Sequence, residues 1–176
     1  PLQRFALVYH GGYYRADPNR VAVSYVGYRK CGDYFAAAEN HRRMIVQPIE
    51  RLGGEVSVFF HTYRSGCEAR DRALVAHLRP VAHRFDVHLF PRIVDSYIAA
   101  LNLVRAHAAN FEYVILSRFE IVFRVPLTRM HIVWWEVNLP WRSGKQGDWV
   151  RIKYRTTCDL FQVFPAEAID DMIYAL

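Results

Sequence analysis

Short apolar runs, separated by stretches of helical periodicity, constrain this chain more than any other feature. Residues 5–9 (Phe-Ala-Leu-Val-Tyr), 56–60 (Val-Ser-Val-Phe-Phe), 113–116 (Tyr-Val-Ile-Leu) and 160–164 (Leu-Phe-Gln-Val-Phe) are each four or five residues long. A near-continuous apolar run of that length suits a strand covered on both faces, and such strands belong to parallel sheets flanked by helices. None approaches the roughly 20 residues that a membrane-crossing helix needs, so no membrane span is expected.

The segments between the runs read mostly as helices. Met44, Ile45, Ile49 and Leu52 recur at helical spacing, with Pro48 placed to kink or restart the helix and Gly53-Gly54 to stop it. Ser65 reads as an N-cap for a helix carrying Leu74, Val75 and Leu78, which ends before Pro80. Residues 92–109 place Ile93, Val94, Tyr97, Ile98, Leu101, Val104 and Ala108 on one face, the clearest helix in the chain. Residues 85–90 alternate weakly and predict a third strand. Residues 120–123 extend the fourth strand or pair beside it, and residues 132–135 predict another short strand. Residues 138–150 are loop-like, and Pro165 opens a last helix. In the 13–38 segment Val21, Val23 and Tyr25 alternate as in a short strand or hairpin, broken by Gly27 and Gly32. Strands alternating with helices, over connections long enough for right-handed crossovers, predict an α/β three-layer sandwich with a mostly parallel central sheet. No linker or internal repeat divides the chain, so residues 1–176 read as a single domain. The final residues read as a helix cut short, as in a fragment truncated at the C-terminus.

With 52% hydrophobic residues, the chain carries enough apolar surface for a core, which excludes disordered and low-complexity classes. The net charge is +6, and nearly all the cations are arginines; Lys30, Lys145 and Lys153 are the only lysines. That balance favours anionic partners, although the arginines are scattered rather than gathered in a tail. A nucleic-acid-binding domain would rest on this charge alone, no RNA or DNA module motif being present, so no nucleic acid is expected. Cys31, Cys67 and Cys158 form neither a disulfide framework nor a zinc knuckle, which leaves the redox compartment open.

Ligands of open parallel sheets sit beyond the carboxyl ends of the strands. Gly11 and Gly12 end the first run and let a backbone approach a ligand closely; Arg15 follows with a planar fork suited to phosphate. A tight turn and a solvated arginine explain the same residues. There is no GxGxxG, P-loop, HExxH or GxSxG. His61 and Thr62 end the second run. Arg118 and Glu120 lie two apart after the most apolar run, so extended backbone points them to one side. Charges at the edge of a core are costly unless they pair or bind something. The carboxylate suits a hard divalent cation that neutralises a diphosphate; an Arg–Glu pair tethering the sheet edge is the other reading. Asp159 opens the last run as a catalytic carboxylate or a cap. Asp148 lies in the polar loop before it, and around that loop in sequence stand Trp134, Trp135, Trp141 and Trp149, as core packing or as a sugar or base platform.

Taken in order, these motifs resemble the GT-A-fold, nucleotide-sugar-dependent glycosyltransferases of polysaccharide assembly. They are His10-Gly11-Gly12 with Arg15, Asn40 leading a helix through Pro48, the stretch 56–63, Ser117-Arg118-Phe119-Glu120 and Cys158-Asp159 with the run behind it. The resemblance covers residues 5 to about 173. It implies that Arg118 and Glu120 stand at the Arg-x-Asp variant of the Asp-x-Asp element, Glu120 holding a divalent cation (Mn or Mg) and Arg118 the donor diphosphate. It implies that Gly11, Gly12 and Arg15 line the nucleotide, that His61 and Thr62 lie near the donor, and that Asp159 is the general base. Glu120 replaces the usual aspartate and the 13–38 segment is longer than the pattern. The partners implied are a nucleotide sugar and a glycan acceptor; the compartment is left open, the cytoplasm and the Golgi lumen both being compatible. The alternative is a non-catalytic domain of the same fold serving as a structural or interaction subunit, with protein partners.

Overall fold

The structure, a computed structural model, describes residues 3–10, 35–64, 68–86, 93–107, 110–119, 121–138 and 161–175. Five strands form one sheet: β1 (Arg4–His10), β2 (Glu55–Tyr63), β3 (Ala82–Asp86), β4 (Tyr113–Arg118) and β5 (Phe161–Pro165). Their spatial order is β3-β2-β1-β4-β5. The first four are parallel and β5 runs antiparallel to β4. Helices cover both faces, giving the mostly parallel α/β sandwich that the apolar runs predict.

The apolar runs alternate their side chains between two cores. Phe5, Leu7 and Tyr9 of β1 join Phe60, Ile115, Phe161 and Val163 on one face. Ala6 and Val8 join Phe59, Val114, Leu116 and Phe164 on the other. The first core is closed by α1 (Phe35–His41), a π-helical turn (Arg42–Val46), α2 (Gln47–Arg51) and α3 (Glu68–Leu78), through Ile45, Ile49 and Leu74. The second is closed by α4 (Ile93–Arg105) and α5 (Ile169–Tyr174), through Tyr97, Ala100, Leu101, Val104 and Ile169. Each large side chain fully withdrawn from water contributes roughly 1.5–3 kcal/mol, so both faces of the sheet are needed to hold it.

Pro48 does restart the helix. It stands in the first turn of α2, directly after the π-helical turn. Proline has no N–H to give the carbonyl four residues back, and its ring crowds that carbonyl; a wider turn relieves both. The glycine pair then closes α2: Gly54 N–H donates to Ile49 O (3.0 Å) and Gly53 N–H to Glu50 O (2.9 Å), the Schellman pattern. Gly53 holds φ +81°, and a Cβ on Gly54 would sit 2.5 Å from the Ile49 side chain.

Four expectations are corrected. The third strand starts at Ala82, three residues before the weak alternation at 85–90; residues 87–90 lie outside the described residues. Residues 132–135 form no strand. Trp134 instead packs its ring against Phe5 and Tyr113 from an irregular segment, centroids 5.6 and 5.1 Å away. Residues 121–123 neither extend β4 nor pair as a strand. Asn40 does not lead a helix but lies in the last turn of α1. The expected elements at 13–34 and 139–160, with Ser65 and all three cysteines, lie outside the described residues.

Candidate functional site

The strand order places a reversal of winding beside β1. The chain moves from β1 outward to β2 and β3, then crosses back through α4 to β4 on the other side of β1. Connections on either side of β1 therefore lie on opposite faces, and the carboxyl ends of β1 and β4 are where sheets wound this way receive ligands. His10 and Arg118, register partners in the β1–β4 ladder, stand at that point.

Three neighbouring strands carry, at or near their carboxyl ends, an aromatic residue next to a basic one: Tyr9-His10 closing β1, Phe60-His61 two residues before the end of β2, and Arg118-Phe119 leaving β4. Successive residues of a strand face opposite ways, and Tyr9 is the register partner of Phe60. The aromatic members therefore converge on the α1–α3 face. Tyr9 stacks on Phe119 at 4.7 Å and on the His41 ring at 5.2 Å, and Phe60 meets Phe119 edge-on at 5.8 Å. Burial pushes the Tyr9 phenol up, so it stays protonated. The basic members share the α4 face. His10 and His61 are fully buried there, and Arg118 is half-buried. The His10 ring packs edge-on against Tyr97 of α4 at 5.3 Å. The Tyr97 hydroxyl donates to the side-chain oxygen of Gln162 on β5.

His61 is fixed from the edge strand. Its Nε2 lies 2.9 Å from Oδ2 of Asp86, and Arg84 donates through Nε to Oδ1 of the same carboxylate at 2.8 Å. Burial lowers the His61 pKa, and the bond to Asp86 only partly opposes it; the imidazole is neutral at pH 7 and donates from Nε2. Burial tends to raise Asp86, but the hydrogen bonds from His61 and Arg84 outweigh it and hold the carboxyl below its ordinary value. Asp86 is thus committed within the protein. Thr62 is buried as the register partner of Phe85, on the opposite face from His61.

Of the donor, metal and catalytic candidates, the structure describes His61, Thr62 and Arg118, and places His61 and Arg118 on one face of the sheet. Gly11, Gly12, Arg15, Glu120 and Asp159 lie outside the described residues, as do Trp141 and Trp149. Sequence reasoning gave no role to Tyr97, Asp86 or Gln162. Gln162 carried a signal, being the one polar residue in an otherwise apolar run; Tyr97 was hidden inside the helix's apolar stripe. Of the basic members of the described rim, His61 is committed to Asp86 and fully buried with His10, and Arg118 is half-buried. Among the described residues no group of three His, Cys, Asp or Glu side chains gathers to hold a metal ion, and no helix is long and apolar enough to cross a membrane. Several other arginines are paired with carboxylates: Arg4 with Glu112, Arg42 with Glu39, Arg72 with Glu68 and Arg105 with Asp170. No protein-family model matches the chain, and no curated protein matches it significantly.

Proposed function

We propose that the chain is a glycosyltransferase-like domain that moves a sugar from a nucleotide-sugar donor to a hydroxyl of a glycan acceptor. One observation carries the reading: a histidine and an arginine are register partners at the winding reversal of a parallel sheet, where such sheets receive ligands. The order of the motifs along the chain, as set out above, supplies the chemistry. The bond between the anomeric carbon and the diphosphate oxygen breaks, and the acceptor oxygen takes its place on that carbon. Negative charge then grows on the leaving diphosphate. Arg118 stabilises it, which lowers the barrier because the charge is larger in the transition state than in the bound donor. Asp159 takes the proton released by the acceptor hydroxyl. Gly11, Gly12 and Arg15 line the nucleotide, and His61 supports the donor side of the rim, while Thr62, on the other face of β2, only backs that strand. Glu120 would hold a divalent cation, Mn or Mg, which would add positive charge at the diphosphate.

Calorimetry with UDP and GDP, with and without manganese, tests this directly. Binding of one nucleotide, tightened by manganese, is the expected result. No heat with either nucleotide at millimolar concentration overturns the reading. A second reading, a non-catalytic interaction subunit, draws on Trp135, which is 78% exposed. Under it Glu120→Gln leaves the protein's function intact; under the first it removes the manganese dependence.

A further inference from the structure

We propose that Asn40 and His41 are positioning residues of the donor site, acting from the last turn of α1 on the chain that leaves β4. The inference rests on the reading above and adds residues to it. After Arg118 the chain turns at Phe119 and then runs through residues 121–123 with no regular structure. Backbone groups in such a segment still need hydrogen-bond partners once they are buried. Asn40 supplies two: its Nδ2 donates to Phe123 O at 3.0 Å, and its Oδ1 accepts from Phe123 N–H at 2.8 Å. That is the bond pair a neighbouring strand residue would provide, made by one amide side chain. The next residue adds a third: His41 Nε2–H donates to Ile121 O at 2.6 Å.

The ring of His41 is wedged as well as bonded. It stacks on Tyr9 at 5.2 Å and meets Phe123 edge-on at 5.2 Å. Its Nδ1 is buried and meets no hydrogen-bond partner among the described residues. Phe123 in turn packs on Phe161 at 5.0 Å, and Phe119 on Tyr9. The exit of β4 is thus held at 119 by stacking and at 121 and 123 by Asn40 and His41. The π-helical turn Arg42–Val46 follows at once. A wider turn changes the rotation of everything after it, so Asn40 and His41 reach the exit loop while Ile45 and Ile49 still face the core.

Asn138 provides an internal control. Its side chain makes the same kind of bonds, accepting from Val133 N–H at 2.8 Å and donating to Val133 O at 2.7 Å, and its backbone pairs with Val163. It braces the edge beyond β5, opposite Ile115 rather than at the rim.

The test measures UDP and GDP affinity by calorimetry, with and without manganese, and thermal melting, on the full chain and on Asn40→Ala, Asn40→Ser and Asn138→Ala. Removing the Asn40 amide is expected to weaken nucleotide binding about tenfold or more and to blunt its manganese dependence, because small displacements of positioning groups are costly. The serine variant, which keeps one of the two bonds, falls between and decides the matter if the alanine variant does not fold. Asn138→Ala lowers the melting temperature and leaves affinity within about twofold of wild type. The inference is overturned if both Asn40 variants melt earlier yet bind like wild type, or if Asn138→Ala weakens binding as much as they do. Failure of the wild-type protein itself to bind either nucleotide removes the donor-site reading, and this inference with it.

Discussion

Tyr9-His10, Phe60-His61 and Arg118-Phe119 build two unlike surfaces from adjacent residues of the same strands. On the α1–α3 face the aromatic members stack into a block that excludes water. On the α4 face the basic members form a rim held by Tyr97, Gln162, Asp86 and Arg84. The first surface is stabilised by area withdrawn from water, which is large and non-directional. The second is costly to bury and needs directed partners, which stability alone does not require. One residue of offset along a strand separates scaffold from candidate site, so substitutions on the two faces should fail in different ways.

The largest effect is expected on the aromatic face. Phe60→Ala removes the ring that meets Phe119 and Phe85 and should cost about 3–5 kcal/mol in urea unfolding. A loss below about 1 kcal/mol would mean that the block does not carry the rim. The next effect is a pH response of the same face. Burial depresses His41 to about 4, so the folded protein binds its proton less readily than the unfolded chain does. Stability is full above the unfolded value of about 6.5, falls as pH drops toward 4 and levels below it, a loss on the order of 3 kcal/mol. His61, also depressed, acts in the same direction. His41→Gln should flatten the slope of stability between pH 6.5 and 4; an unchanged slope would assign the response elsewhere.

On the rim, function should move more than stability. Arg118→Gln is expected to weaken nucleotide binding by about tenfold, or about 1.4 kcal/mol, with Arg118→Lys recovering only part of it, since lysine lacks the planar fork. A variant that binds like wild type would break the contrast between the faces. Asp86→Asn removes the charge bonded to His61 and Arg84 and should cost about 1 kcal/mol at pH 7. Because the Asp86 carboxyl is held below its ordinary value, its contribution is present at neutral pH and lost as pH falls through that lowered value, so wild type and variant should converge in acid. The smallest effect is expected at the exposed Arg42–Glu39 pair, 2.6 Å apart on the helix surface. Glu39→Gln should leave the unfolding midpoint unchanged within error, which sets the baseline for the other variants.

Much of this architecture is legible in the sequence alone. The runs at 5–9, 56–60 and 113–116 became β1, β2 and β4, and the 92–109 stripe contains α4. The Gly53-Gly54 stop and the Pro48 restart followed from backbone chemistry at those residues, and the helix expected at Pro165 forms as α5 after a short 3-10 turn at Ala166–Ala168. The misreadings share a cause. Residues 132–135 are as apolar as a strand but serve to seat Trp134 on Phe5 and Tyr113, and β3 is a partly exposed edge strand whose pattern is weak. Of the candidate site, strand ends as a class were legible, with His61 and Arg118 among them. Asp86, Tyr97 and Gln162 were not, because each acquires its role from a residue far away in the chain.

The division follows the range of the forces. Side-chain periodicity, proline and glycine act over a few residues, so the linear chain settled which segments extend, which coil and where they stop. Hydrogen-bond ladders and packing act between segments, so only the assembled sheet could put β4 on the far side of β1, turn β5 antiparallel and set His10 opposite Arg118. A basic residue near a strand end is an ordinary surface feature until register and parity gather three of them on one face of the sheet.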